Sequence, residues 1–407
     1  MTAQRVLIVG LNYAPEPVGI GPYTQGLAKA LAKQGRDVAV ICGQPYYPQW
    51  RRYPGFSAGW SQSAEDGVRV TRCPHYIPAR PGGLSRIVHL ASFALSALPA
   101  VLRPGGMRPQ VVIAVAPALL SVVTAWLAAR FAGARLWVHV QDFEAEAAVA
   151  TGLLRPGSLP ARLALWCERR ILRLADHVST ISPQMAARLV AKGVAPNRVT
   201  ELRNWADARF APDPAGAVQL RSEWGLTGKT VALYSGNIAL KQGIEVLVDA
   251  ARLLQHRPDI AVVICGEGPN RAVLEARAAG LPNVQLRDLQ PVARMGAMLA
   301  MADLHLLPQI AGAADLVLPS KLTNILASAR PVVATTEPGT GLYGEVDGCG
   351  VITPPGDAAA LAQAIADLAD DPARRAALGK AALGRSAARW QKDAIIGRWG
   401  AALDSLV

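Results

Sequence analysis

The chain predicts an α/β protein built from two Rossmann-like, doubly wound domains facing a central cleft. Short Val/Ile/Leu-rich runs alternate with longer Ala/Leu/Arg-rich runs in both halves, as parallel strands covered by helices require. A segment rich in Ala, Pro, Asp and Gly, Arg209 to Gly216, separates two such alternations. With 407 residues and 51% hydrophobic content, each half can bury its own core. That composition excludes a disordered chain.

In the first half Arg5–Gly10 reads as a strand, Gly21–Lys33 as a helix closed by Gly35, and Asp37–Cys42 as the next strand. The loop after the first strand holds Glu16, Gly19 and Gly21; its glycines serve either a tight turn or the close approach of a ligand to the helix N-terminus. Further strands are predicted at Val68–Arg72, Val111–Val115, Leu136–Val140 and His177–Ile181. Two uncharged stretches stand out. Val111 to Ala129 is long enough for a bilayer span, but Pro117 divides it into a β-branched strand and a core helix, Ala118 to Phe131. Ile87 to Leu102 places Ile87, Leu90, Phe93, Ala94 and Leu98 roughly on one face, which suits a helix in a lipid interface or one packed on its own sheet.

The second alternation runs through strands at Thr230–Tyr234, Ile260–Cys265, Val284–Leu286, Leu304–Leu307 and Val332–Thr335. Helices are predicted at Gln242–Gln255, Arg271–Ala279 and Ser320–Ser328, with a closing helix at about Leu383 to Leu403. The domains read as residues 1–208 and 209–384, with 385–407 returning to the first domain.

The net charge of +12 resides entirely in residues 1–200. A basic half can face nucleic acid, anionic lipid or an acidic substrate. Its arginines are scattered among apolar helical segments without a nucleic-acid motif, so no nucleic acid is expected and a membrane surface is the better partner. Cys42, Cys73, Cys167, Cys265 and Cys349 are widely spaced without a Cys-x-x-Cys pair, which indicates neither a metal site nor a disulfide framework. The N-terminal apolar run is too short for a signal peptide, and a cytoplasmic location is expected.

The segment Asp315 to Ala327 carries the most chemistry. Ser320 opens a helix as a hydroxyl cap and Lys321 stands in its first turn, a combination suited to a diphosphate. Ser235 to Gly243 contains Gly236 and Asn237 and leads to Lys241 beside the next helix. Lys241 and Lys321 each follow a strand end of one sheet, so both are expected to reach one diphosphate at its mouth. Gly266-Glu267-Gly268-Pro269 ends another strand, where the glycines either form a turn or let a base or ribose lie on the backbone.

These motifs resemble those of the GT-B glycosyltransferases of family 4, in particular the colanic-acid-type exopolysaccharide glycosyltransferases. The resemblance spans nearly the whole chain. It rests on Asn12 to Glu16 with Gly19 to Gly21, Pro45 to Trp50, His139 to Asp142, Arg203 to Trp205 with Arg209-Phe210, Ser235 to Gly243, Gly266 to Pro269, and Gly312 to Ala327. It implies transfer of a sugar from a nucleotide diphosphate sugar with retention of configuration and no metal or other cofactor. The C-terminal domain would bind the donor through Gly236, Asn237, Gly266, Glu267, Gly268, Pro319, Ser320, Leu322 and Asn324, with Lys241, Lys321 and Asp315 as catalytic groups. The N-terminal domain would bind the acceptor around Glu16, Gly19, Gly21, Tyr46, Tyr47, Trp50, His139, Asp142 and Asn204. The chain departs from the family where its paired glutamates fall near Asp315 and Asn324, where Asn237 replaces a phosphate-binding arginine, and where Gln141-Asp142 replaces a His-Asp pair.

The implied acceptor is a lipid-linked saccharide at the inner face of the cytoplasmic membrane, and GDP-fucose is the subgroup's suggestion for the donor. The aromatic loop Tyr46 to Trp50 suits sugar stacking or headgroup contact, or packing on its own domain. A non-catalytic sugar or nucleotide binder is the alternative. A Rossmann oxidoreductase is disfavoured, because no strand leads into Gly-x-Gly-x-x-Gly followed by an acidic residue.

Overall fold

The computed structural model describes residues 3–17, 19–79, 82–102, 107–150, 154–238, 242–311 and 318–406. Two compact units emerge, Met1–Arg203 with Asp393–Val407, and Asn204–Lys392. Each is a Rossmann-like layer of helices around a largely or wholly parallel sheet.

The first unit holds β1 (Arg5–Val9), β2 (Asp37–Gly43), β3 (Ser61–Glu65), β4 (Val68–Cys73), β5 (Val111–Ala116), β6 (Arg135–Val140), β7 (His177–Thr180) and β8 (Val199–Glu201), in the order β3-β4-β2-β1-β5-β6-β7-β8. All neighbours are parallel except the β3–β4 hairpin. Central strands β1 and β5 are almost wholly buried, which is why they read as unbroken apolar runs. Edge strand β3, Ser-Gln-Ser-Ala-Glu, has no apolar alternation and escaped the sequence reading. Its signal lay in the turn: Asp66 and Gly67 both take positive φ, as a two-residue hairpin loop requires.

The stretch from Val111 divides at Pro117 into β5 and the helix Leu119–Ala132, so it forms no single span. The helix Gly83–Leu102 is long and apolar enough to cross a membrane by composition. It packs against Leu119–Ala132 and splits the apolar face expected of it. Phe93 and Ala94 are buried together with His89, Ala97 and Val101, whereas Ile87 lies outside with Leu84, Val88 and Leu95. Tertiary packing thus selects the face centred on His89 and Phe93.

The second unit holds β9 (Thr230–Ser235), β10 (Ile260–Cys265), β11 (Val284–Arg287), β12 (Leu304–Leu307), β13 (Val332–Thr335) and β14 (Gly350–Thr353), all parallel, in the order β11-β10-β9-β12-β13-β14. The closing helix expected at Leu383 to Leu403 is two helices, Pro372–Trp390 and Lys392–Asp404, parted by Gln391 in an extended conformation. The second of them belongs to the first unit. Trp399 stacks on Trp137 with centroids 5.0 Å apart, and Gln4 Nε2 donates to the Leu403 carbonyl at 3.1 Å.

Strand order reverses between β1 and β5 in one sheet and between β9 and β12 in the other. Open α/β sheets bind ligands beyond the carboxyl ends of strands at such points.

Candidate active site

At the β9/β12 switch point, Lys321 opens the helix Lys321–Ala327. Its Nζ donates to Tyr234 Oη at 2.9 Å and lies 4.1 Å from the Tyr234 ring centroid. Burial penalises the ammonium and lowers its pKa to about 8. Among the described residues no carboxylate pairs with it, so its partners are a phenol and a ring face. Tyr234 Oη in turn donates to the Asn237 carbonyl at 2.7 Å, tying the lysine to the turn after β9. Gly236 has φ +140, which favours glycine, and a Cβ there would lie 2.7 Å from Nζ.

The turns after β9 and β10 pack backbone on backbone. Gly236 N–H donates to the Cys265 carbonyl at 2.9 Å, and Ile238 N–H to the Glu267 carbonyl at 2.8 Å. A Cβ at Gly266 would lie 1.9 Å from the Gly236 oxygen, and one at Gly268 would lie 2.2 Å from that of Ile238. The protein's own carbonyls therefore account for both glycines. Glu267 is exposed and paired with Arg271 at 2.9 Å, and Asn237 is exposed.

Ser320 occupies the N-cap position with helical backbone angles and caps no N–H with its side chain, in contrast to the expectation. A cap needs an extended residue whose oxygen turns back over the first turn. Leu322 is also corrected as a side-chain contact: it is fully buried in a core with Leu307, Leu326 and Trp390, and its N–H donates to the Pro319 carbonyl at 3.0 Å. Helical spacing puts 322, 325 and 326 on the inward face. Asn324 is half-buried, and its Oδ1 accepts from Asp207 N–H at 2.9 Å, which leaves the amide nitrogen end to act as donor. Lys241 and Asp315 lie outside the described residues.

At the β1 switch point the polar groups close on one another. Glu16 is buried; its Oε1 accepts from the N–H groups of Tyr46 and Tyr47, each at 3.0 Å, and its Oε2 accepts from Asn12 Nδ2 at 2.9 Å. Burial raises its pKa against the pull of these donors. The carboxylate thus joins the loop after β1 to the loop after β2. Tyr46 is buried, with its Oη 3.0 Å from His89 Nε2, whereas Tyr47 and Trp50 are half-buried at the rim. The rings of Tyr46 and Trp50 are 5.3 Å apart. Gly19 is exposed with φ +74, and a Cβ at Gly21 would press on the Tyr13 carbonyl at 3.2 Å. The N-cap residue of the helix that starts at Gly21 is Ile20, which makes no side-chain cap.

His139, expected near the acceptor, is buried within the first unit. It alternates with Val138 and Val140 along β6 and shares the face of Trp137, so it points beneath the last helix, 5.0 Å from the Trp399 ring. Its Nδ1 is 2.8 Å from Ser179 Oγ and its Nε2 3.0 Å from Gln141 Nε2. Burial pushes its pKa down to about 3, so it stays neutral. Asp142 is half-buried just past β6, and Asn204 opens the second unit.

Three contributors escaped the sequence reading. Tyr234 sits inside a strand and looks like core; His89 interrupts an apolar helix; Glu144 accepts from Ala118 and Leu119 N–H at 3.2 and 3.0 Å and so closes the start of the helix Leu119–Ala132. Only Glu144 left a local signal, a carboxylate next to the Gln141-Asp142 motif.

Residues 18–205 match the family model described as a glycosyl transferase 4-like domain, and residues 219–385 match that of glycosyl transferases group 1. Over 341 residues, 82% of this chain and 83% of the relative, the sequence is 42% identical to the putative colanic acid biosynthesis glycosyl transferase WcaI of Escherichia coli (strain K12). The chain belongs to glycosyltransferase family 4. This family 4 glycosyltransferase shares its fold with sucrose-phosphate synthase from Thermosynechococcus elongatus, at a TM-score of 0.77 and 20% identity over 99% of each chain. Anabaena Alr3699/HepE in complex with UDP matches with a TM-score of 0.70 and 16% identity, over 99% of this chain and 100% of that one. The fold is therefore GT-B, and the lysine at the β9/β12 rim stands in the domain that matches group 1.

Proposed function

We propose that this glycosyltransferase moves a sugar from a nucleoside diphosphate sugar to a lipid-linked saccharide in exopolysaccharide assembly, retaining anomeric configuration and using no metal. The observation that carries this reading is Lys321, a desolvated ammonium with no carboxylate partner among the described residues, at the switch point of its sheet. A diphosphate beside it would restore a normal lysine pKa, and that gain is binding energy.

In the proposed reaction the bond from the sugar's anomeric carbon to the diphosphate oxygen breaks as the acceptor hydroxyl attacks from the same face and passes its proton to the departing diphosphate. Negative charge builds on the departing diphosphate, where Lys321 and Lys241 stabilise it; in catalysis of this kind such charge stabilisation lowers the barrier more than any other effect. Asp315 orients the donor sugar. The free amide end of Asn324 contacts the ribose, with Gly236, Asn237, Gly266, Glu267, Gly268, Pro319 and the backbone at Ser320 around the nucleotide. Tyr47 and Trp50 stack on the acceptor saccharide, with the N-terminus of the Gly21–Lys33 helix and Asp142 nearby. The colanic acid role in the Escherichia coli relative's name supports an exopolysaccharide product, and the UDP bound to HepE supports a nucleotide donor. The helix Gly83–Leu102, with its exposed leucines, supports residence at the inner face of the cytoplasmic membrane.

Thermal stabilisation by GDP-, UDP- and dTDP-sugars, followed by detection of the released nucleoside diphosphate, tests the reading. One donor, GDP-fucose being the first to try, should raise Tm with concentration and turn over. Stabilisation without release under any acceptor supply would instead support a binding protein.

A further inference from the structure

We infer that the outer face of the helix Leu159–Leu172 docks the enzyme on an anionic lipid bilayer, with arginines on headgroup phosphates and Trp166 in the interface. The inference rests on the membrane reading above and gives it a surface of its own chemistry.

This helix is built inside out. Its buried residues are Ala161, Glu168 and Leu172, whereas Leu159, Leu163 and Trp166, spaced as one helical stripe, are 80%, 61% and 54% exposed. Arg170 continues the stripe with its guanidinium 5.2 Å above the Trp166 ring. Arg155, Arg162, Arg169 and Arg173 are exposed around it. Glu168 is the one acidic residue from Arg155 to Leu174, and it is turned inward, 2.5 Å from Lys192 Nζ and accepting from Ala145 N–H at 3.0 Å. The exposed face therefore carries positive charge only.

The helix packs against Leu119–Ala132, which packs in turn against Gly83–Leu102. On these two neighbouring helices Ile87, Leu95 and Phe131 are exposed as well. A soluble helix places leucines inward and charges outward; here the stripe needs hydrocarbon and its flanks need anions. Arginine forks match phosphate oxygens, and tryptophan favours the headgroup level of a bilayer. Leucines spaced between the arginines fit a nucleic-acid backbone poorly, which favours lipid over a soluble polyanion.

Flotation of the full chain with phosphatidylcholine vesicles, with and without phosphatidylglycerol, tests the inference. Binding is expected to require phosphatidylglycerol and to weaken with salt. The variant Arg162→Gln/Arg169→Gln/Arg170→Gln should lower the partition constant roughly 100-fold, at about fivefold per charge. Should that variant melt early, Arg169→Gln alone should still show the fivefold loss. Trp166→Ser should weaken binding at unchanged Tm. Equal binding to neutral and anionic vesicles, unchanged partition of the arginine variants, or binding of RNA but of no vesicle would overturn the inference. So would loss confined to Leu84→Ser/Leu95→Ser. None of these readouts uses a nucleotide sugar, so failure of the donor reading is seen separately, in the thermal-shift panel.

Discussion

At the β9/β12 rim of the second sheet a lysine stands with a phenol and a ring for company, whereas at the β1 rim of the first sheet a carboxylate is held by three N–H donors. Both are ionisable groups beyond parallel strand ends, Glu16 buried and Lys321 half-buried, and desolvation penalises the charged form of both. They differ in what answers the charge. Glu16 has its answer inside the protein and acts as a brace between loops. Lys321 has no counter-charge among the described residues, and that unanswered charge suits an anionic ligand. Perturbed pKa values arise at structural and at functional sites alike, and the partners around each group are what set these two apart.

The comparison breaks most visibly at Lys321. Lys321→Ala should cut turnover by about 100- to 1,000-fold, the typical loss for one group that stabilises a developing charge. Its Tm should stay near that of the parent, and near-normal steady-state rates would remove the lysine from the mechanism.

Glu16→Ala should behave in the opposite way, leaving chemistry in the folded fraction but lowering stability by about 2–4 kcal/mol, because buried N–H donors lose their acceptor. Glu16→Gln should cost less, since one amide oxygen can still serve Tyr46 and Tyr47. Urea unfolding measures both; equal stabilities of Ala and parent would show that the brace is idle.

Gly266→Ala sharpens the donor side without touching a charge. Its Cβ would meet the Gly236 oxygen at 1.9 Å, so the two turns must part. A loss of about 1–3 kcal/mol in stability, together with weaker stabilisation by the donor, would show that the paired turns shape the nucleotide site.

The pH dependence is the finest probe. With a pKa of about 8, Lys321 is protonated below that pH, and donor affinity should be flat there. It should fall as pH rises through 8, by up to tenfold per unit, until the raised pKa of the complex is reached. Ligand-free stability should run the other way. From about 8 up to the unfolded lysine value the unfolded chain binds the extra proton, so this group adds stability as pH increases. Calorimetric titration with Lys321→Arg as control separates the two trends; a pH-independent affinity would place the ammonium away from the diphosphate. His139→Gln should leave this profile unmoved, since its imidazole is neutral throughout and meets only core partners.

Much of this molecule was legible in one dimension. Strands β1, β5, β9 and β10 are buried on both faces, and unbroken Val/Ile/Leu runs announce that without reference to any neighbour. The helix start at Lys321 and the glycines of both rims were equally plain, because they follow from local backbone needs. Side-chain direction was not legible. His139, Ser320 and Leu322 have site-like neighbours in sequence, yet strand alternation, helix phase and cap angles turned them to other work. Tyr234, His89 and the inverted Leu159–Leu172 helix were hidden for the same reason: which face of an element meets the core is decided by the elements packed against it. Local chemistry thus determined two largely parallel sheets and where their strand-end rims lie, whereas tertiary packing decided which charges at those rims are answered by other described residues and which are not.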